Sequence, residues 1–149
     1  MEATKLQYLF STLVAYRHNI HMLHWKVCGE GFDCVHTLMD SYLDKFNDMV
    51  DDVAEMILSF NTNPFTLEEC MDCLKKSNKQ VLVIESDADF TKENVFNAIK
   101  IMFDDLCEIY TDIHKEYEGT PCPSFSKLDE HRYWLLIENN YKNERRLKK

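Results

Sequence analysis

Apolar side chains at Leu6, Leu9, Phe10, Leu13, Tyr16, Ile20, Leu23 and Val27 recur every three or four positions. That spacing gathers them on one face of an amphipathic helix, which Gly29 and Gly31 end. A second stripe, Val35, Met39, Tyr42, Phe46, Met49, Val53, Ile57 and Phe60, keeps the same period up to Asn61-Thr-Asn-Pro64. There proline and the residue before it cannot continue a helix. Thr66-Leu-Glu-Glu69 has the form of a capping box and predicts a short helix through about Lys75. Lys76 to Asp89 is polar apart from Val81-Leu-Val-Ile84 and reads as a connection. Thr91 is placed to cap a third long helix marked by Val95, Ile99, Met102, Leu106, Tyr110, Ile113 and Tyr117, stopping at Gly119. After a corner at Pro121-Cys-Pro123, a fourth helix starts near Ser124 or Ser126. It carries Leu128, Trp134, Leu135, Ile137 and Tyr141 before dissolving into a charged tail, and its stripe is the weakest of the four.

Four long helices with a short extra helix in the long connection between the second and third predict an all-α fold. It is a four-helix bundle with one crossover running the length of the molecule, as in ferritin-like folds. Composition agrees: three Gly and three Pro in 149 residues leave too few turns for a multi-stranded protein. The length and the 45% hydrophobic content suit one domain, residues 1–149, with a single core.

Charge narrows the partners. A net charge of -9 disfavours non-specific attraction of the body of the protein to nucleic acid and suits a cation-attracting surface. The exception is the basic C-terminal tail, 142–149, where Lys142, Arg145, Arg146, Lys148 and Lys149 stand against Glu144. Nothing reads as a membrane segment or a secretory signal, so six cysteines point to thiols in a reducing, cytoplasmic setting. Cys70-Met-Asp-Cys73 has no second pair at zinc-binding distance and reads as semi-buried small side chains.

The second helix also carries chemistry. His36 with Asp40, and Asp51 with Glu55, are pairs at i, i+4, each able to offer two ligands from one face. At about 100° per residue the four side chains span roughly 100°, and the apolar stripe is centred roughly 145° away. His36 and Asp51 are separated by roughly 22 Å of helix, so one chain cannot bring both pairs to one ion. Two copies packed antiparallel about a two-fold axis can. His24, across the short glycine turn, is placed to add a second imidazole. Two His and three carboxylates suit Fe(II), and Zn or Mn would bind as well. Glu-x-x-His, expected of an intrachain di-iron site, is absent, the nearest match being Asp33-Cys-Val-His36. Spacing alone leaves open a second reading, in which the acidic stripe is a solvated face and the histidines are ordinary imidazoles.

The run His21-Met-Leu-His24-Trp25-Lys-Val-Cys-Gly29-Glu-Gly-Phe32-Asp-Cys-Val-His36-Thr-Leu-Met-Asp40 resembles the signature of the DNA-binding proteins from starved cells (Dps), the small ferritins. Asp51-Asp-Val-Ala-Glu55 is similar to the family's Asp-x-x-Ala-Glu, and Thr66-Leu-Glu-Glu69 stands where the family has its connecting helix. Beyond Leu74 the likeness resumes around His131-Arg-Tyr-Trp134-Leu-Leu136. The resemblance implies that His24, His36 and Asp40 of one subunit and Asp51 and Glu55 of its two-fold partner bind one or two irons. It implies a ferroxidase that oxidises Fe(II) with hydrogen peroxide or oxygen and stores ferric mineral in a hollow homododecameric cage, protecting against oxidative damage. Trp25 resembles the family's aromatic that takes up stray oxidising equivalents, and reads equally well as a core-packing indole. His21 matches a family histidine near the site and reads as a supporting or packing residue. His18 has no matching role.

Two departures stand out. Met56 replaces the family's usual Arg, removing a salt bridge expected between subunits. The family's acidic three-fold pore corresponds here to Pro121-Cys-Pro-Ser-Phe-Ser-Lys127. DNA contact, where the family makes it, uses basic tails, and residues 142–149 are the candidate here, with a frayed helix end as the plainer reading. The alternative to a ferroxidase is a cage or DNA-compacting structural protein with a non-catalytic metal site.

Overall fold

A computed structural model describes residues 3–77, 80–118 and 125–148. The helices are α1 (Thr4–Lys26), α2 (Phe32–Ser59), α3 (Leu67–Lys76), α4 (Lys92–Tyr117), α5 (Phe125–Ile137) and α6 (Asn143–Leu147), with a π-helical turn, Glu138–Lys142, joining the last two. α1 packs against α2, α3 and α4, and α5 closes the bundle against α4 and α2. This is the ferritin-like four-helix bundle, with α3 as the short helix of the crossover.

The apolar stripes do what their period predicts. Leu6, Leu9, Leu13, Ile20 and Leu23 of α1 are buried against Met39, Phe46, Met49 and Val53 of α2 and Val95, Ile99, Met102, Phe103 and Leu106 of α4. Each such side chain contributes roughly 1.5–3 kcal/mol of transfer free energy. The centre is aromatic: Phe103 lies 5.3 Å from Tyr42 and 5.7 Å from Trp134, centroid to centroid. The buried hydroxyls of Ser11 and Thr12 donate to the carbonyls four residues back, so neither is left unsatisfied.

The ends of the helices follow local chemistry. α2 stops at Ser59, and Asn61 takes the left-handed conformation at φ 59°, a role that Gly or Asn fills after a helix. The capping box at Thr66 and Glu69 is formed in both directions, and Thr91 accepts from the backbone N–H of Asn94. The expected stop at Gly119, the corner at Pro121–Pro123 and a start at Ser124 lie outside the described residues.

Two expectations are corrected. The last helix does not dissolve after Tyr141. The wide π turn adds a residue to one turn, so Glu138, Asn139 and Asn143 face inward while Tyr141, expected in the stripe, is 52% exposed. Arg146 then donates to Glu138 Oε1 at 3.1 Å and Asn143 Oδ1 at 2.6 Å, and Tyr42 joins the same buried group. The basic run is therefore helical through Leu147 and held to the bundle. Trp25 is not a core indole either: it is 59% exposed and stacks on His21 at 4.9 Å.

Candidate metal centre

The turn between α1 and α2 sets the site. Gly29 and Gly31 have φ of 85° and 82°, a region that disfavours residues with a Cβ, and a Cβ on Gly31 would lie 3.2 Å from Lys92 Cδ. The turn is also stitched to the end of the crossover. The Cys28 N–H donates to the Phe90 carbonyl at 2.9 Å and the Phe90 N–H to the Lys26 carbonyl at 3.1 Å, beside a Lys26–Asp89 ion pair at 3.4 Å. No periodicity signals this pairing of chain segments about sixty residues apart.

So folded, the end of α1 lies beside the start of α2, and His24, His36 and Asp40 converge, with a possible ligand atom from each within 4.8 Å of the others. The two imidazoles stack with centroids 3.6 Å apart, and Phe32 covers the second at 5.0 Å. His24 Nδ1 lies 3.0 Å from the His36 carbonyl oxygen, and His36 Nδ1 lies 2.8 Å from the His24 carbonyl oxygen. A carbonyl only accepts, so both Nδ1 atoms carry hydrogen, and the lone pair of each neutral ring sits on Nε2. Asp40 Oδ1, on a largely exposed side chain, is 3.4 Å from His24 Nδ1. An imidazole whose Nδ1–H is held by a carbonyl has its orientation and tautomer fixed for a metal at Nε2.

Three of the five expected ligands are thus brought together. Asp51 and Glu55 are exposed farther along α2. Among the described residues, His24, His36 and Asp40 form the cluster with metal-holding geometry. His21 is not in it. Burial first, then the nearby His24, His18 and Arg17, hold its pKa below that of an ordinary histidine, favouring the neutral ring that stacks on Trp25. Met56, standing where the family has Arg, is 4% exposed and packs in the chain's own core. Of the six cysteines, Cys28, Cys34, Cys70, Cys73 and Cys107 are free thiols, Cys70 and Cys73 buried and half-buried.

Sequence reasoning missed a second histidine centre. His131, 2% exposed, bonds through Nε2 to Asp52 Oδ2 at 2.8 Å and through Nδ1 to the Tyr110 hydroxyl at 2.9 Å. One signal was available: His131 falls on the same face as Leu128 and Leu135, three and four residues away.

The bundle, which carries its histidine–carboxylate cluster between the first two helices, has the ferritin-like fold. No family model matches the chain. Its sequence is 27% identical over 112 residues to the DNA protection during starvation protein of Listeria innocua, a match covering 74% of this chain and 66% of that protein's length. In fold it is similar to Dps of Mycobacterium smegmatis, with a TM-score of 0.83 at 21% identity over 99% of this chain and 86% of that one. It is also similar to the Vibrio cholerae Dps protein, described as a member of a broad superfamily of ferritin-like diiron-carboxylate proteins. There the TM-score is 0.83 at 16% identity, covering 98% and 88% of the two chains. The resemblance read from the motifs therefore holds in both sequence and fold: the proteins this chain is similar to are those of the Dps family.

Proposed function

We propose that the chain is a ferroxidase subunit of an iron-storing, Dps-type cage. Ferrous ion is the substrate, bound by His24, His36 and Asp40 of one copy with Asp51 and Glu55 of a second, and oxidised by hydrogen peroxide or oxygen. The observation that carries this reading is the convergence of His24, His36 and Asp40, with a ligand atom from each within 4.8 Å of the others, on two imidazoles whose Nδ1–H groups are held by carbonyls so that each Nε2 is left to bind. Open positions and mixed nitrogen and oxygen ligands suit a redox-active borderline ion.

The second copy has a surface to occupy. A groove lined in part by Val14, Met22, Leu43, Leu67 and Met71 runs up to Asp40. Leu67 and Met71 in it are 68% and 46% exposed. Apolar area of this kind beside a half-complete ligand set fits a two-fold partner supplying the missing carboxylates. Twelve copies would close the cage, and native mass tests that number. We assign the protein to the cytoplasm; among the described residues no helix is long and apolar enough to cross a membrane.

Ferrous ion followed by peroxide, added to wild type and to Asp51→Ala/Glu55→Ala, tests the chemistry through the rise of ferric absorbance. Rapid oxidation by wild type alone is expected, and identical traces overturn the reading. One observation favours a second reading, a structural cage or DNA-compacting protein: the reciprocal imidazole–carbonyl bonds themselves tie α1 to α2, a structural role for both histidines. Identical traces would leave that reading standing. DNA contact through the C-terminal run would rest on Arg145, Lys148 and Lys149, since Arg146 and Lys142 are paired with Glu138. A gel shift at low salt that survives Arg145→Ala/Lys148→Ala/Lys149→Ala excludes this route.

A further inference from the structure

Tyr110, His131 and Asp52 form a hydrogen-bonded chain from the core of the bundle to α2, ending one residue from Asp51. We propose that this chain is a redox relay, in which Tyr110 surrenders an electron and passes its phenolic proton to His131.

The geometry narrows the chemistry. Tyrosine, histidine and aspartate in line resemble a nucleophile with its base and orienting acid. Yet Tyr110 and His131 are each 2% exposed, so no substrate reaches the phenol. An electron needs no such contact. Asp52 accepts at Nε2, which fixes the hydrogen there and leaves the Nδ1 lone pair facing the phenol at 2.9 Å. Burial holds His131 below its ordinary pKa, so the ring is neutral near pH 7 and ready to accept. Burial also raises the Tyr110 pKa well above that of a free phenol, so the phenol is intact before it reacts and the electron leaves together with the proton.

The oxidant is a one-electron species of the hydroxyl-radical class, formed when a ferrous ion reduces peroxide by one electron. The phenolic O–H bond breaks, its proton forms a bond to Nδ1, and its electron reduces the oxidant. The products are a neutral tyrosyl radical, an imidazolium and the reduced oxidant, so charge and atoms balance. The Asp52 carboxylate at 2.8 Å stabilises the imidazolium, and Lys127, 3.7 Å from the other oxygen of Asp52, holds that carboxylate in place. The buried radical is kept from solvent until the proton and an electron return. The biological source of the oxidant rests on the ferroxidase reading, whereas the relay itself does not.

Metal-free protein with a photo-excited ruthenium tris-bipyridine and persulfate supplies one-electron oxidation without iron, so failure of the relay is told apart from failure of the ferroxidase. Electron paramagnetic resonance of wild type is expected to show a long-lived tyrosyl radical that is lost in Tyr110→Phe, a change that keeps the ring volume. Asp52→Asn, folded by circular dichroism, is expected to shorten its lifetime on the order of tenfold, the scale of a lost charge-assisted hydrogen bond. An equal signal in Tyr110→Phe, or an unchanged lifetime in Asp52→Asn, overturns the proposal.

Discussion

Two histidine centres in this molecule use the same side chain for opposite ends. At the turn between α1 and α2, each imidazole spends one nitrogen on a carbonyl and keeps the other free, beside a carboxylate that is largely exposed. In the core, His131 has both nitrogens engaged by protein, so it has no lone pair left for a metal. What separates the candidate metal ligands from the proposed relay is therefore which ring atoms the protein has already claimed. The same contrast runs along α2. Its first turns hold His36 and Asp40 in place against α1, whereas Asp51 and Glu55 face outward with Asp52 between them turned in to His131.

The comparison is broken most sharply by His131→Ala. Losing two buried hydrogen bonds and opening a cavity is expected to destabilise the fold by about 3 kcal/mol, measured by chemical denaturation. Metal affinity should hardly change. The converse holds for His36→Ala, which should lower cobalt(II) or ferrous affinity on the order of tenfold or more while costing only about 1 kcal/mol of stability, the worth of one carbonyl hydrogen bond. Similar stability losses in the two variants would erase the distinction between the two centres.

A smaller effect is expected from pH. The folded pKa of His131 is lowered by burial, so as pH falls below about 6.5 the unfolded chain takes up protons that the folded chain refuses. Stability fully present above that pH is then lost toward the folded pKa. His21, lowered by the same leading cause, acts in the same direction. The His131 share is the part of the slope that disappears in His131→Gln, followed by thermal denaturation across acid pH, and an unchanged slope would remove His131 as its source.

The long helices were legible because a 3.6-residue period needs no tertiary information: Leu6 to Leu23 and Val35 to Ile57 are buried as their spacing requires. The weak stripe of the last helix was a true signal, since the π turn at Glu138 breaks the period and turns Tyr141 outward. His36 with Asp40 and Asp51 with Glu55 were visible as i, i+4 pairs. Asp52 was not, because its role depends on His131, seventy-nine residues away.

The order of the helices, the caps at Thr66 and Thr91 and the residue types of the candidate metal site were set by the sequence itself, since each rests on neighbours within one or two turns. Tertiary structure alone decided which nitrogen of His24 and of His36 is free, how the crossover clasps the turn that carries the candidate site, and that the C-terminal basic run is held by Glu138. Those outcomes depend on groups far apart in the chain meeting within hydrogen-bond distance, and no local pattern encodes such a meeting.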